Sequence, residues 1–289
     1  MSSHPTILVT GATGNVGGQV VAQLRDRGGV RVRALTRDPS RAVLPDDVEV
    51  VGGDLSDPEG LDAALDSVDA VFLSFPTLQA DERALELVAR LAKHAGRIVY
   101  LSAEGVPDDR GAPSQGIIGS HAVLERLVED AGVEWTFLRA GGMATNTLGW
   151  ADQVRETGVV RGPYERLSRS LVHEADVAAV GVLALTADDL LGARPVITGP
   201  EILTHVEQAA IIGETIGRPV RYEEIPPEEM RTVILDEWGW PAETADAALE
   251  AWAAMVDNRD GVTTTFQELT GRAATPFRRW AADHADDFR

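Results

Sequence analysis

Three glycines at 11, 14 and 17, an arginine at 37 and a histidine–glutamate pair at 121 and 125 carry the chemistry this sequence offers. Gly11, Gly14 and Gly17 form GxxGxxG, a variant of the GxGxxG dinucleotide fingerprint. Gly11 lets the chain turn sharply, Gly14 lets backbone amides approach a pyrophosphate, and Gly17 lets the next helix lie close to the strand. Thr13, Asn15 and Val16 stand at the start of that helix, whose free N–H groups and positive dipole end face the phosphates. Arg37 ends the second strand, where an acidic residue would accept from a ribose 2′-OH and an arginine pairs with a 2′-phosphate. NADP(H) is therefore expected in preference to NAD(H). Asp54 and Leu55 are placed to flank the adenine, with Asp54 accepting from its exocyclic amine; the competing reading of Asp54 is a helix cap, which Ser56 or Asp57 before Pro58 suits better.

His121 and Glu125 lie one turn apart on one helix face. An imidazole titrates at about 6.5, so His121 can give a proton to a bound oxygen near neutral pH. Two other roles stay open: a hydrogen bond to the nicotinamide ribose or carboxamide, and a satisfied structural histidine. Ser74, Phe75 and Pro76 follow the fourth strand and Ser102 the fifth, at the carboxyl ends where parallel sheets bind ligands.

The elements that position these residues alternate. Ile7–Val9, Val30–Leu35, Val48–Val51, Asp69–Ser74, Arg97–Ser102 and Glu134–Arg139 read as strands. Helices are expected at Val16–Arg27, 58–66, 80–95 and 117–131, and the Gly/Pro-rich loop 105–116 is expected to cross the site with some mobility. This βα alternation predicts an α/β fold, a Rossmann-type doubly wound parallel sheet with a smaller, mainly helical C-terminal lobe. The expected division is a nucleotide-binding core at 1–150, then remaining sheet elements and a substrate lobe at 151–289, the two interleaved. Thr204 is read as capping helix 204–216, and His205 and Glu207 as facing solvent or capping. His173–Asp176 is read as a helix start rather than a metal site.

Composition excludes several classes. A net charge of −20 over 289 residues argues against a general nucleic-acid binder. With no cysteine, disulfides, thiolate catalysis and cysteine–metal sites are absent. No apolar run approaches the roughly 18–20 residues of a membrane span, and the N-terminus runs almost at once into a strand, so a cytoplasmic protein is expected. A homodimer stays open.

The loop Thr10–Gly17 resembles that of atypical short-chain dehydrogenase/reductases, and more closely their NmrA-like branch, which includes NADPH-dependent quinone oxidoreductases. Gly53-Asp54-Leu55, Trp135–Arg139 with Asn146, Thr198–Glu201 with Leu203-Thr204, and Gly271-Arg272 with Phe277–Trp280 resemble further segments of that family. The resemblance implies NAD(P)H chemistry on a small molecule. One departure matters. Standard members use Tyr-x-x-x-Lys to deliver a proton, but here Tyr100, Tyr164 and Tyr222 are followed four residues later by Glu104, Ser168 and Pro226, and Lys93 is the sole lysine. Where many related reductases carry lysine four residues before the glutamate, this chain has His121, as quinone-reductase-like members do. The expected function is hydride transfer from NAD(P)H to a quinone or small carbonyl compound without that dyad. The alternatives are a non-catalytic NADP(H)-sensing protein acting through a protein partner, and a non-redox isomerase or cyclase on the same fold.

Overall fold

The strand β1 (Thr6–Val9) is buried at all four residues, the pattern of a central parallel strand covered on both faces. It was obtained in a computed structural model that describes residues 4–75, 82–112, 116–257 and 261–289. The chain continues through α1 (Asn15–Arg27), β2 (Arg31–Thr36), β3 (Glu49–Gly52), α2 (Asp62–Leu65), β4 (Ala70–Leu73), α3 (Glu82–His94), β5 (Arg97–Ala103), α4 (Gly116–Asp130) and β6 (Glu134–Ala140). Next come α5 (Ala151–Thr157), β7 (Val159–Gly162), β8 (Ser168–Arg169), α6 (Glu174–Thr186) and β9 (Val196–Ile197). The chain ends with β10 (Leu203–Thr204), α7 (His205–Ile216), β11 (Arg221–Glu224), α8 (Pro227–Asp236), α9 (Ala242–Asp257), α10 (Thr265–Thr270) and α11 (Phe277–Asp283).

Two units result. One holds residues up to Ala140 and takes back Glu174–Ile197; the other holds Gly141–His173 and Thr198–Arg289. In the first, seven parallel strands run in the order β3-β2-β1-β4-β5-β6-β9. Strand order reverses between β1 and β4, and at such a switch point the crevice outside the carboxyl ends admits a ligand. Helix α6 returns to this sheet because it is apolar on every side: Val177, Ala178, Val180 and Ala184 are all buried. Gly181 lets it approach Leu138 and Phe72, whose carbons would lie 3.2 Å from an added Cβ. Gln23 of α1 donates to the Ala175 carbonyl at 2.9 Å and ties the two helices.

The expected helix 58–66 is a 3-10 turn, Pro58–Leu61, followed by the single turn α2. Pro58 suits the first position of such a turn, but the segment is too short to propagate into a longer helix. In the second unit β7 pairs with β11 in parallel and β8 with β10 antiparallel, and helices supply the rest. One core there gathers Trp280, Phe277, Phe288 and Ile212; another gathers Ile225, Met230, Ile234 and Leu249. Thr204 caps α7 in a reciprocal box with Glu207. Among the described residues, no helix is long and apolar enough to cross a membrane.

Candidate functional site

The glycine turn is fixed by backbone contact. Gly11 has φ +61°, a conformation side chains rarely adopt. At Gly17 an added Cβ would sit 2.1 Å from the Gly11 carbonyl oxygen, so α1 can start this close to β1 only with glycine there. Gly14 N–H donates to the Gly11 carbonyl at 2.9 Å and closes the turn. Gly14 is the N-cap of α1 without a side-chain bond, and the first turn holds no acidic residue. The helix thus presents first-turn amides and a positive end with no carboxylate of its own. Ser74 is held beside this turn by Thr10: its N–H donates to Thr10 Oγ1 at 2.8 Å, and the Thr10 N–H donates to Phe72 at 3.0 Å.

One cleft of about 620 Å³ gathers Gly11, Thr13, Gly14, Arg37, Asp54, Leu55 and Ser74 from the sequence reading. Asp54 Oδ1 accepts from Ser56 N–H and Oγ, both at 2.8 Å. Those bonds, with the nearby Arg37 charge adding, hold its carboxyl below the usual carboxylate range. Asp54 thereby shapes a local turn and keeps Oδ2 without a partner among the described residues. Asp57, not Asp54, stands at the N-cap of the turn that follows, without a side-chain bond. Arg41 also lines the cleft and was missed in the sequence, although its place four residues after Arg37 was the available signal. Arg37 and Arg41 are exposed, and among the described residues neither guanidinium has a hydrogen bond or salt bridge. In a chain of net charge −20, these two cations share one cleft with the carboxylates of Asp38 and Asp54.

The other expected residues fall elsewhere. Asn15 is exposed and Val16 buried in the first turn of α1, where their contribution is the backbone amide. Phe75 packs half-buried against the sheet core. Pro76 lies outside the described residues. Ser102 is 3% exposed and its hydroxyl donates to Glu125 Oε1 at 2.6 Å, which docks α4 on β5.

That bond belongs to a network. Tyr100 and Ser102 point to one face of β5, because side chains alternate along a strand. They meet His121 and Glu125, one turn apart on α4: Tyr100 Oη lies 2.7 Å from His121 Nδ1. Two strand residues span about 6.7 Å and four helical residues about 6 Å, so the pairs match in register. Glu125 also accepts from Arg139 Nε at 3.1 Å and Nη2 at 2.8 Å, a bidentate pair with both side chains buried. Arg194 Nε approaches Glu125 at 3.8 Å, and its guanidinium lies 4.7 Å over the Trp135 ring.

Arg139 Nη1 reaches Asp108 at 2.6 Å, Arg110 bonds Asp130 at 2.8 Å, and Arg126 donates to the Arg110 carbonyl at 2.9 Å. The described part of the expected loop 105–116 is thus clasped to β6 and α4; residues 113–115 lie outside the described set. Burial holds the His121 imidazole below its ordinary pKa, partly opposed by the Glu125 charge. His121 is therefore neutral near pH 7. Burial, with Glu125 adding, keeps Tyr100 protonated well above that range.

His205 is corrected. It is half-buried and not open to solvent: its ring packs 5.5 Å from Trp150 and 5.0 Å from Tyr222, and burial pulls its pKa down to about 4. His173 is 5% exposed, with Nε2 3.4 Å from Asp283, and Glu174 and Asp176 occupy the first turn of α6.

Known proteins share this arrangement of chain. A (4-alkanoyl-5-oxo-2,5-dihydrofuran-3-yl)methyl phosphate reductase of Streptomyces griseus is 42% identical over 288 residues, covering 98% of this chain and 99% of that one. An NAD(P)H azoreductase of Xenophilus azovorans is 34% identical, with 98% and 99% covered. Among solved structures, the NADPH complex of an NADPH-dependent quinone oxidoreductase from Escherichia coli superposes with a TM-score of 0.78 at 22% identity, over 96% of this chain and 99% of that one. That likeness concerns the fold. The sequence pattern of the NmrA-like family matches residues 3–264, and the chain belongs to that family.

Proposed function

We propose that the chain is an NADP(H)-dependent oxidoreductase that reduces a quinone or small carbonyl compound whose acceptor atoms are conjugated. The observation that carries this is the cleft itself: a glycine cradle at a helix N-terminus lines it together with two exposed arginines, Arg37 and Arg41. The amides of the first turn of α1 would hold the pyrophosphate, Arg37 and Arg41 would pair with the 2′-phosphate, and Asp54 and Leu55 would flank the adenine. When bound, NADPH supplies a hydride. Relatives over nearly the full length are a reductase of an unsaturated lactone phosphate and an NAD(P)H azoreductase, which supports reduction as the class of chemistry.

Conjugation follows from the acid the chain lacks. Addition of hydride to an isolated carbonyl makes an alkoxide that needs a proton at once. Addition to a quinone or a carbonyl-conjugated double bond makes a delocalised anion far less basic than an alkoxide, so it needs a weaker proton donor. A neutral His121 cannot act as a strong acid, but it can donate a hydrogen bond to such an anion. Purified protein titrated calorimetrically with NADPH and NADH, then followed at the NADPH absorbance with quinones, enones and aldehydes, tests the reading. Tight NADPH binding, turnover with the conjugated acceptors, and loss of turnover in His121→Ala with NADPH affinity kept are the expected outcomes. Turnover of saturated aldehydes alone would refute the acceptor assignment, and equal affinity for NADH would refute the cofactor.

A further inference from the structure

We infer that Tyr100 is a positioning residue: its hydroxyl donates to His121 Nδ1 and fixes the ring with its proton on Nε2, so that His121 presents a neutral donor to a ligand oxygen. The 2.7 Å contact can form in two ways. In one, Tyr100 O–H donates to a bare Nδ1. In the other, Nδ1–H donates to the phenol oxygen, and the phenol proton must find another acceptor. Tyr100 is 0% exposed, and among the described residues its hydroxyl has no other partner. The second arrangement would bury an unsatisfied O–H, which disfavours it roughly tenfold or more. Burial keeps the phenol protonated, in agreement with its role as donor.

The neighbouring groups leave the assignment intact. Glu125, one turn on, accepts from Ser102 and from Nε and Nη2 of Arg139, and makes no hydrogen bond to His121. The Ser102–Glu125 bond pins α4 to β5 in register, and Phe137 packs edge-on against the Tyr100 ring at 6.3 Å, which holds the phenol in place. Nε2 of His121 has no partner among the described residues and is not sealed from solvent. A protonated Nε2 seeks an acceptor, and the acceptor offered by a quinone or conjugated carbonyl is its oxygen.

The oxygen's identity rests on the proposed function; the tautomer does not. In the balanced step the acceptor takes up hydride at carbon, its π electron pair moves onto oxygen, and Nε2–H hydrogen-bonds the resulting anion. The imidazole keeps its proton, since losing it would leave an imidazolate, and water supplies the final proton.

The test uses the full chain labelled with 15N-histidine and two-bond 1H–15N correlation spectra, His121 being assigned by the signals missing in His121→Gln. Wild type is expected to show a protonated Nε2 and a bare Nδ1 at neutral pH. Tyr100→Phe keeps the packing and removes the hydroxyl. It should raise the Nδ1-protonated share at least about fivefold and lower quinone kcat about tenfold, with the NADPH Kd within about twofold. A wild-type ring protonated on Nδ1, or an unchanged tautomer in Tyr100→Phe, overturns the positioning role. An altered tautomer with unchanged kcat overturns the oxygen-donor role. The spectra need no turnover, so a protein that reduces no quinone would remove the proposed function and leave the tautomer result standing.

Discussion

Replacing Arg37 with alanine should change which cofactor the protein prefers, because Arg37 is expected to meet a phosphate that NADH lacks. A charge-assisted hydrogen bond contributes roughly 1.5–3 kcal/mol when its partner stays behind. Arg37 is exposed on the cleft wall, so solvent screening places it near the lower end, about 1.5–2 kcal/mol. That energy is a tenfold to thirtyfold rise in the NADPH Kd. The nearby Asp54 carboxylate, whose pKa Arg37 helps to depress, is left without a compensating cation and adds repulsion in the same direction. NADH should bind within about twofold of wild type. Arg41→Ala should act likewise, and the double variant should lose roughly a hundredfold to a thousandfold if the two arginines act independently. Calorimetric titration at low and physiological ionic strength reads both ratios, and salt should narrow the wild-type preference. An NADPH/NADH ratio unchanged within twofold in both the single and the double variant would refute the assignment of the 2′-phosphate to this wall.

Three further outcomes follow from the packing. Gly17→Ala places a Cβ against the Gly11 carbonyl and should cost about 3 kcal/mol in urea unfolding and abolish NADPH binding. Gly18→Ala meets nothing closer than 3.6 Å and should stabilise by about 0.5–1 kcal/mol. Arg139→Met strips the buried Glu125 of its bidentate partner and should destabilise by about 3 kcal/mol in urea unfolding, whereas Asp108→Asn, at the exposed end of the same network, should change stability by under about 1 kcal/mol. His205 should make stability fall as pH drops from about 6.5 toward about 4. The unfolded chain binds a proton there that the folded one refuses, so the folded state loses on the order of 3 kcal/mol at most across that window. Urea midpoints from pH 7 to 4 should flatten in His205→Phe.

The strands that build the sheet were legible because each is a short apolar or alternating run between turn residues. The cradle was legible because glycine spacing encodes backbone approach. Arg37, Asp54 and Ser74 followed from their places at strand ends, and the cleft gathers all three. Other features were hidden for physical reasons. Helix α6 is apolar all round, so no face announced that it returns to the sheet. Ser102 sat at the correct strand end, yet alternation sends its side chain toward α4. The spacing Tyr-x-Ser on β5 against His-x-x-x-Glu on α4 was present in the sequence, but it gains meaning only once strand and helix are known to pair. His205 looked exposed at a helix start because one sequence does not show that Trp150 and Tyr222 close over it.

Hydride transfer can be followed directly. NADPH carrying deuterium at the transferable nicotinamide position, incubated with the protein and a quinone or a carbonyl-conjugated alkene, should consume cofactor only when acceptor is present. With the conjugated alkene, the reduced product should gain one deuterium at carbon by mass spectrometry. With NADH the same reaction should be markedly slower. Product without deuterium, or no acceptor-dependent oxidation of NADPH by any conjugated acceptor, would contradict the account.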